Sequence, residues 1–333
     1  MKAIGGYFSL ELPLLEEYHK DALRLNTGRN CLELILRAHR FDKVYIPYYT
    51  CEVILEPFKK LGINYDFYHV DTHLEIRDSI ILKADEALLY TNYFGLKQYY
   101  VEQLVEKYGS QLIVDNTQAF YAVPFQGVDT FYTCRKFFGV ADGAYLYTNT
   151  RSDEVFEQDE SYDRMTHLLK RFDLSAEQGF ADFRRADDGL EYQPIRRMSK
   201  LTQRIMQSID YEAVAKKRRA NFQLLQNALS GENTLELRLD DEAVPMIYPF
   251  LTSNKGLREK LIENKVFVAR YWPNVLDWCQ HNDLEYQLAE QLVCLPIDQR
   301  YTWDDMQIIL DIINEKIIGN KNEEKNNNLW CDR

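Results

Sequence analysis

KVYIPYYTCEVILEPFKKLGINYDFYHVD, residues 43–71, decides the fold. Its ends, KVYIPYY and NYDFYHVD, are rich in β-branched and aromatic residues and read as strands; TCEVILEPFKKLG between them reads as a helix stopped at Gly62. Strand, helix, strand is the repeating unit of a mostly parallel sheet. The same alternation continues outward. GRNCLELILRAHR (28–40) and KQYYVEQLVEKYG (97–109) have helical patterns, while EALLYTNYF (86–94), QLIVD (111–115), VDTFYT (128–133) and AYLYT (144–148) have strand patterns. The reading predicts an α/β domain whose ligand site lies at the C-terminal ends of the strands.

Beyond residue 150 the pattern changes. Residues 151–205 are charged and irregular and predict extended loops with short helices. A long helix is expected over 202–230. A smaller α/β segment follows, with strand-like VPMIYPFL (244–251), KVFVARYW (265–272) and QLVCLPI (291–297). Its last helix opens at Thr302-Trp303-Asp304-Asp305, a weaker relative of the capping box. The expected division is a large domain with an N-terminal arm over 1–205, a small domain over 206–318, and a polar tail without fixed structure over 319–333.

Composition limits the function. The 333 residues are 46% hydrophobic, enough for a substantial core, and carry 40 basic against 52 acidic side chains, a net charge of −12. That balance argues against nucleic-acid binding. The six cysteines are scattered without a C-x-x-C, the pattern of a reducing compartment. The N-terminus lacks an apolar signal core, and no run approaches the ~18 apolar residues of a membrane span. A cytoplasmic location without membrane contact is expected.

DTFYTCRKFFGVADGAYLYTN, residues 129–149, sets Arg135 and Lys136 among Phe131, Tyr132, Phe137 and Phe138. Burying an unpaired ammonium is costly, so the lysine needs a reason to be there. Taken alone, it would be a surface residue with its stem laid along apolar neighbours. LIVDNTQAF (112–120) ends a strand in Asp115 with Gln118 three residues on; alone, this is an aspartate capping a turn. LNTGRNCLELIL (25–36) opens a helix at Thr27, Gly28, Arg29 and Asn30, an anion site that alone is ordinary N-cap chemistry. Together, an anion cradle, a buried carboxylate and an amine in apolar surroundings meet the needs of pyridoxal phosphate.

With these motifs in this order, the sequence resembles the DegT/DnrJ/StrS family of sugar aminotransferases over about residues 20–315. That family lies within the fold-type I, aspartate aminotransferase-like pyridoxal phosphate enzymes. Further markers are Thr133-Cys134-Arg135-Lys136, Asp142-Gly143 and CLPIDQRYTWDDMQIILDII. The resemblance implies a large domain around a seven-stranded, mostly parallel sheet and a smaller C-terminal α/β domain. It implies that Lys136 carries the cofactor and shuttles the substrate proton, that Asp115 pairs with the ring nitrogen, and that Gln118 contacts the ring 3-oxygen. Thr27, Gly28, Arg29 and Asn30 open the phosphate-binding helix, with Thr133 standing where a serine is common. Arg135 serves phosphate, a substrate anion, or a structural pair with Asp142 or another carboxylate.

Three positions depart from the family pattern. Cys51 occupies the place of the aromatic ring that stacks on the cofactor, leaving Tyr49 or Tyr93 either to supply that ring or to pack the sheet edge. Ala144 replaces the second glycine after the lysine. Ile195-Arg196-Arg197-Met198 lacks the asparagine of a motif that reaches the partner subunit's cofactor phosphate, so Arg196 or Arg197 either replaces it or lies on a solvated face. The implied function is amino transfer from an amino acid, glutamate expected, to a keto-sugar, nucleotide-linked, in cell-surface polysaccharide or amino-sugar biosynthesis, by a homodimer with its site at the interface. The alternatives are other pyridoxal phosphate chemistry on the same fold, and a catalytically retired member acting as a binding module.

Overall fold

The computed structural model describes residues 4–150, 154–236 and 238–328, with side chains described to residue 315. The first half runs β1 (Leu23–Leu25), α1 (Gly28–His39), β2 (Lys43–Pro47), α2 (Leu55–Leu61), β3 (Asn64–Tyr68), β4 (Glu86–Thr91), α3 (Gln98–Tyr108), β5 (Leu112–Asp115), β6 (Asp129–Thr133) and β7 (Ala144–Tyr147). These strands form one seven-stranded sheet in the order β1-β7-β6-β5-β4-β2-β3. Neighbours are parallel except at β7, which is antiparallel to both β1 and β6. The expected mostly parallel sheet is present, with β1 as a short edge strand the sequence pattern did not reveal.

Every residue of β4, β5 and β6 is buried, as a sheet covered on both faces requires. Alternation sorts them into two layers. Ala87, Leu89, Ile113, Phe131 and Leu146 pack with Leu32 and Leu36 of α1 and Phe58 of α2. Leu88, Tyr90, Val114, Tyr132 and Tyr145 face the other side, toward Val101 and Leu104 of α3 and the C-terminal part of the chain. The N-terminal arm is pinned by buried polar contacts: His19 Nε2 lies 2.7 Å from the Phe120 carbonyl, and Tyr145 donates to Glu17.

Residues 151–205 are more regular than expected. α4 (Thr166–Asp173) and α5 (Ala176–Asp188) form a hairpin, with Ser175 capping α5 through the Gln178 N–H and Lys170 reaching Asp182 at 2.6 Å. Residues 151–153 lie outside those described. The single helix expected over 202–230 is two, α6 (Lys200–Met206) and α7 (Tyr211–Leu229). The break is built locally: Asp210 accepts the Ala213 N–H at 2.9 Å and starts a new helix, while the Tyr211 hydroxyl donates to the Met206 carbonyl.

The C-terminal part continues with β8 (Tyr248–Leu251), α8 (Leu257–Glu263), α9 (Val275–Trp278), α10 (Leu284–Gln291), β9 (Leu292–Leu295) and α11 (Trp303–Asn328). β8 and β9 form an antiparallel pair. KVFVARYW is not a strand; only Ala269 bridges to Cys294, because Lys265 and Trp272 at its ends take positive φ and break the extended path. Thr302 and Asp305 do cap α11 reciprocally, and the helix continues through the polar segment expected to lack structure as far as Asn328. Residues 329–333 lie outside those described. Among the described residues no helix is long and apolar enough to cross a membrane.

Candidate active site

The C-terminal ends of β5 and β6, the N-terminus of α1 and the 270–278 segment enclose a cavity of about 640 Å³. Asp115 closes β5, in register with Thr91 of β4 and Phe131 of β6, and is 6% exposed. Its Oδ1 accepts the Thr117 N–H at 2.8 Å, and the Lys136 Nζ donates to the Thr117 hydroxyl at 3.1 Å. Thr117 therefore joins the carboxylate to the amine. The resemblance gave Thr117 no role; its place two residues past Asp115 is the one signal that could have drawn attention to it.

Lys136 sits in a tightly stitched turn. The Phe137 and Phe138 N–H groups both donate to the Cys134 carbonyl, the Cys134 N–H to Gly143, and the Gly143 N–H to Asn26 at 2.7 Å. Gly143 has φ +97°, and a Cβ there would lie 2.7 Å from Thr202 Cγ2, so only glycine fits. Burial pushes the half-buried Lys136 amine below its ordinary value of 10.5, and Arg135 adds to this, while the Asp115 charge opposes it. Burial likewise pushes the Asp115 carboxyl above 3.8, against Lys136 and the Thr117 hydrogen bonds. Each group thus leans toward its neutral form, and their mutual attraction pulls both back toward charge.

Thr27 caps α1, its hydroxyl accepting the Asn30 N–H at 3.1 Å. The N–H groups of Gly28 and Arg29, in the first turn, have no acceptor within the helix, and both residues line the cavity. A Cβ on Gly28 would lie 3.3 Å from Thr117 Cγ2, so glycine brings the helix backbone close to the aspartate loop. Thr133 lines the same wall.

The structure thus brings Thr27, Gly28, Arg29, Cys51, Asp115, Thr133, Arg135 and Lys136 to one cavity. Arg29 is paired with Glu56 at 2.9 Å. Arg135 pairs with Asp187, not with Asp142, whose carboxylate is held by Arg164 and Thr202.

The other expected residues lie outside the cavity wall. Asn30 donates to the Gln193 carbonyl behind the helix. Gln118, expected at a ring oxygen, is fully buried, its Oε1 accepting the Phe94 N–H at 3.0 Å and its Nε2 unpartnered. The reason is local: Phe94 and Gly95 take positive φ, and the bent backbone needs that acceptor. Tyr49 and Tyr93 stack on each other with centroids 5.7 Å apart inside the core, and Tyr93 donates to the Tyr49 carbonyl. Arg196 contacts Gln193 and Asp159, and Arg197 is exposed, its backbone bridging to Leu25 and Gln158.

Aromatic rings at the cavity come from elsewhere: Phe131, Tyr271, Trp272 and Trp278. Trp272 has φ +62°, a strained conformation for a bulky residue. Asn274 ties this segment to the β2 end by donating to the Thr50 carbonyl at 3.0 Å. The sequence signal for it was Arg270-Tyr271-Trp272-Pro273, aromatic and cationic residues ahead of a proline, read instead as a strand.

The donor set fits pyridoxal phosphate at three points: unbonded helix N–H groups for phosphate, a buried carboxylate for a ring nitrogen, and an amine of depressed pKa for the aldehyde. Gln118 lies off the cavity wall, its Oε1 taken by the Phe94 N–H and its Nε2 left as a buried donor without a partner. Among the described residues no cluster of His, Cys, Asp or Glu could hold a metal ion.

No family model and no curated protein sequence matches the chain. Solved structures do. Sugar aminotransferase CalS13 from Micromonospora echinospora superposes with a TM-score of 0.62 at 13% identity, covering 89% of this chain and 88% of its own. DesV from S. venezuelae, in complex with a ketimine intermediate, gives 0.61 at 15% identity, covering 91% and 90%. A DegT DnrJ EryC1 StrS aminotransferase from Brucella abortus gives 0.58 at 14%, covering 90% and 88%. The chain has the fold of these aminotransferases along nearly its whole length.

Proposed function

We propose that this protein is a pyridoxal phosphate-dependent aminotransferase of the DegT/DnrJ/StrS type, transferring an amino group from an amino acid to a keto-sugar. The observation that carries this reading is Lys136 and Asp115 sharing one cavity, joined through Thr117, beside the open N-terminus of α1. The fold shared with sugar aminotransferases supports the same reading.

When bound, pyridoxal phosphate supplies an aldehyde that condenses with amines and a protonated ring that stabilises negative charge at the adjacent carbon. The Gly28 and Arg29 N–H groups, with the Thr27 and Thr133 hydroxyls, would hold its phosphate. Asp115 would hold the ring nitrogen in its protonated state, with the Thr117 hydrogen bonds and the Lys136 charge favouring its carboxylate form against burial. The Lys136 Nζ, whose burial favours its neutral form, would attach the aldehyde and afterwards carry a proton away from and back to the substrate. The rings of Tyr271, Trp272 and Trp278 wall that space and limit water beside the amine.

Glutamate is the proposed donor, and the proposed acceptor is a nucleotide-linked keto-sugar. A homodimer in which Arg197, exposed in the single chain, meets the partner completes the proposal. The test is spectroscopic: adding glutamate to cofactor-loaded protein should move the cofactor absorption to shorter wavelength, and adding a nucleotide-linked keto-sugar should reverse it. An unchanged spectrum with every amino acid tried would refute the aminotransferase reading.

A further inference from the structure

The Thr117 hydroxyl, which accepts from the Lys136 Nζ at 3.1 Å, is itself held from two sides. The Thr117 N–H donates to Asp115 Oδ1 at 2.8 Å and fixes the backbone. The Cγ2 methyl lies beside Gly28, where an added Cβ would stand only 3.3 Å away, so the N-terminus of α1 limits rotation of a side chain already stiff at χ1. With the methyl toward α1, Oγ1 faces the lysine. A neutral amine has two N–H groups and one lone pair. Directing one N–H at Thr117 leaves the lone pair for a proton or a carbonyl carbon in the cavity that both residues line. A carboxylate in the same place would also orient the amine, but would hold it as an ammonium; a hydroxyl adds no charge.

We propose that Thr117 is a positioning residue for the reacting lysine, its hydroxyl holding the free Lys136 amine in one orientation while its methyl is seated against α1. The assignment rests on the aminotransferase reading above. The amine is free before the cofactor attaches and again while it carries the substrate proton, and both steps depend on its orientation. Besides burial, which acts most strongly, the groups acting on the amine are Asp115 of β5, Cys51 ahead of α2, the adjacent Arg135 and Asp187 of α5. Arg29 of α1 lines the same cavity, paired with Glu56. All of them stay when Thr117 is replaced, so a difference between variants reports the hydroxyl.

The test compares purified full-length wild type with Thr117→Val and Thr117→Ser. Trace acetylation with acetic anhydride over a pH series, mapped by peptide mass spectrometry, gives the protonation midpoint of Lys136 without cofactor. The rate of pyridoxal phosphate attachment, trapped with borohydride, gives its reactivity. Thr117→Val keeps the shape and loses the acceptor. It should attach the cofactor about 3- to 10-fold more slowly at the high-pH plateau, the range of one neutral hydrogen bond. Its midpoint should fall by about half to one pH unit, because an ammonium donates more strongly than an amine and loses more. Thr117→Ser keeps the hydroxyl and should show the wild-type midpoint, with a plateau rate between the other two. A merely structural loss would admit water and move the midpoint up toward 10.5 instead. Matching melting temperatures show that the variants fold. Thr117→Val with the wild-type midpoint or the wild-type plateau, a midpoint that rises, or Thr117→Ser behaving as Thr117→Val would each overturn the assignment. Attachment that depends on Thr117, alongside a cofactor spectrum that glutamate never changes, leaves the positioning of the lysine standing and refutes amino transfer.

Discussion

Replacing Gly143 with alanine should damage both stability and the lysine turn, and the structure allows the two causes to be separated. The backbone there has φ +97°, which costs a non-glycine residue about 1–3 kcal/mol. The new Cβ would also meet Thr202 Cγ2 at 2.7 Å, Cys134 Sγ at 3.2 Å and Met198 Cε at 3.3 Å, an overpacking cost of about 1–3 kcal/mol more. The expected total is about 2–6 kcal/mol, read from urea unfolding followed by tryptophan emission. Thr202→Ser removes Cγ2 while keeping the hydroxyl that donates to Asp142, so the double variant should recover much of the overlap cost and none of the backbone strain. Because the Gly143 carbonyl and N–H hold Cys134 and Asn26, the single variant should also capture pyridoxal phosphate more weakly. A Gly143→Ala protein within about 0.5 kcal/mol of wild type, the range of an ordinary surface change, would refute this reasoning.

Two more outcomes follow from charged side chains. Arg218 is 1% exposed, lies 4.5 Å over the Phe137 ring, and donates to the carbonyls of Pro245, Met246 and Phe137, tying the Lys136 turn to the C-terminal part of the chain. Burial pulls its pKa down to about 10. Arg218→Leu strips donors from buried carbonyls and should cost about 2–5 kcal/mol in the same unfolding measurement, with a loss near zero counting against the tie. His39 lies 2.6 Å from Asp129, and that hydrogen bond raises its pKa above 6.5 against the opposing effect of burial. A raised folded-state pKa gives stability that is complete below 6.5 and fades as pH climbs through the raised value. His39→Asn should flatten that part of the stability profile; an unchanged slope would show that the pair does not contribute it.

The legibility of the sequence followed the range of the interactions involved. β2 to β6 were readable because each is a short run of aliphatic, β-branched or aromatic residues bounded by turn residues, and Asp115 and Lys136 because they stand at or just past the ends of such runs. The antiparallel setting of β7 and the three-residue β1 were not, since both depend on pairing rather than on local pattern. Trp272 carries an ordinary strand residue type, and only its contact with Tyr49, 4.7 Å away in space and more than two hundred residues away in sequence, shows why the chain bends there. Gln118 is the opposite case. Its position fits a family motif, but the positive φ of Phe94 and Gly95 claims its side chain for the backbone. Arg135 was left open between anion binding and an ion pair, and the pair with Asp187 depends on a helical hairpin that the charged composition of its segment concealed.

The most direct test locates the reactive amine. Protein mixed with pyridoxal phosphate, reduced with borohydride and mapped by peptide mass spectrometry should carry the cofactor on Lys136, in near-stoichiometric amount and ahead of exposed lysines such as Lys20. Label scattered over surface lysines with Lys136 unmodified would contradict the claim that burial beside Asp115 makes this one amine the cofactor's partner.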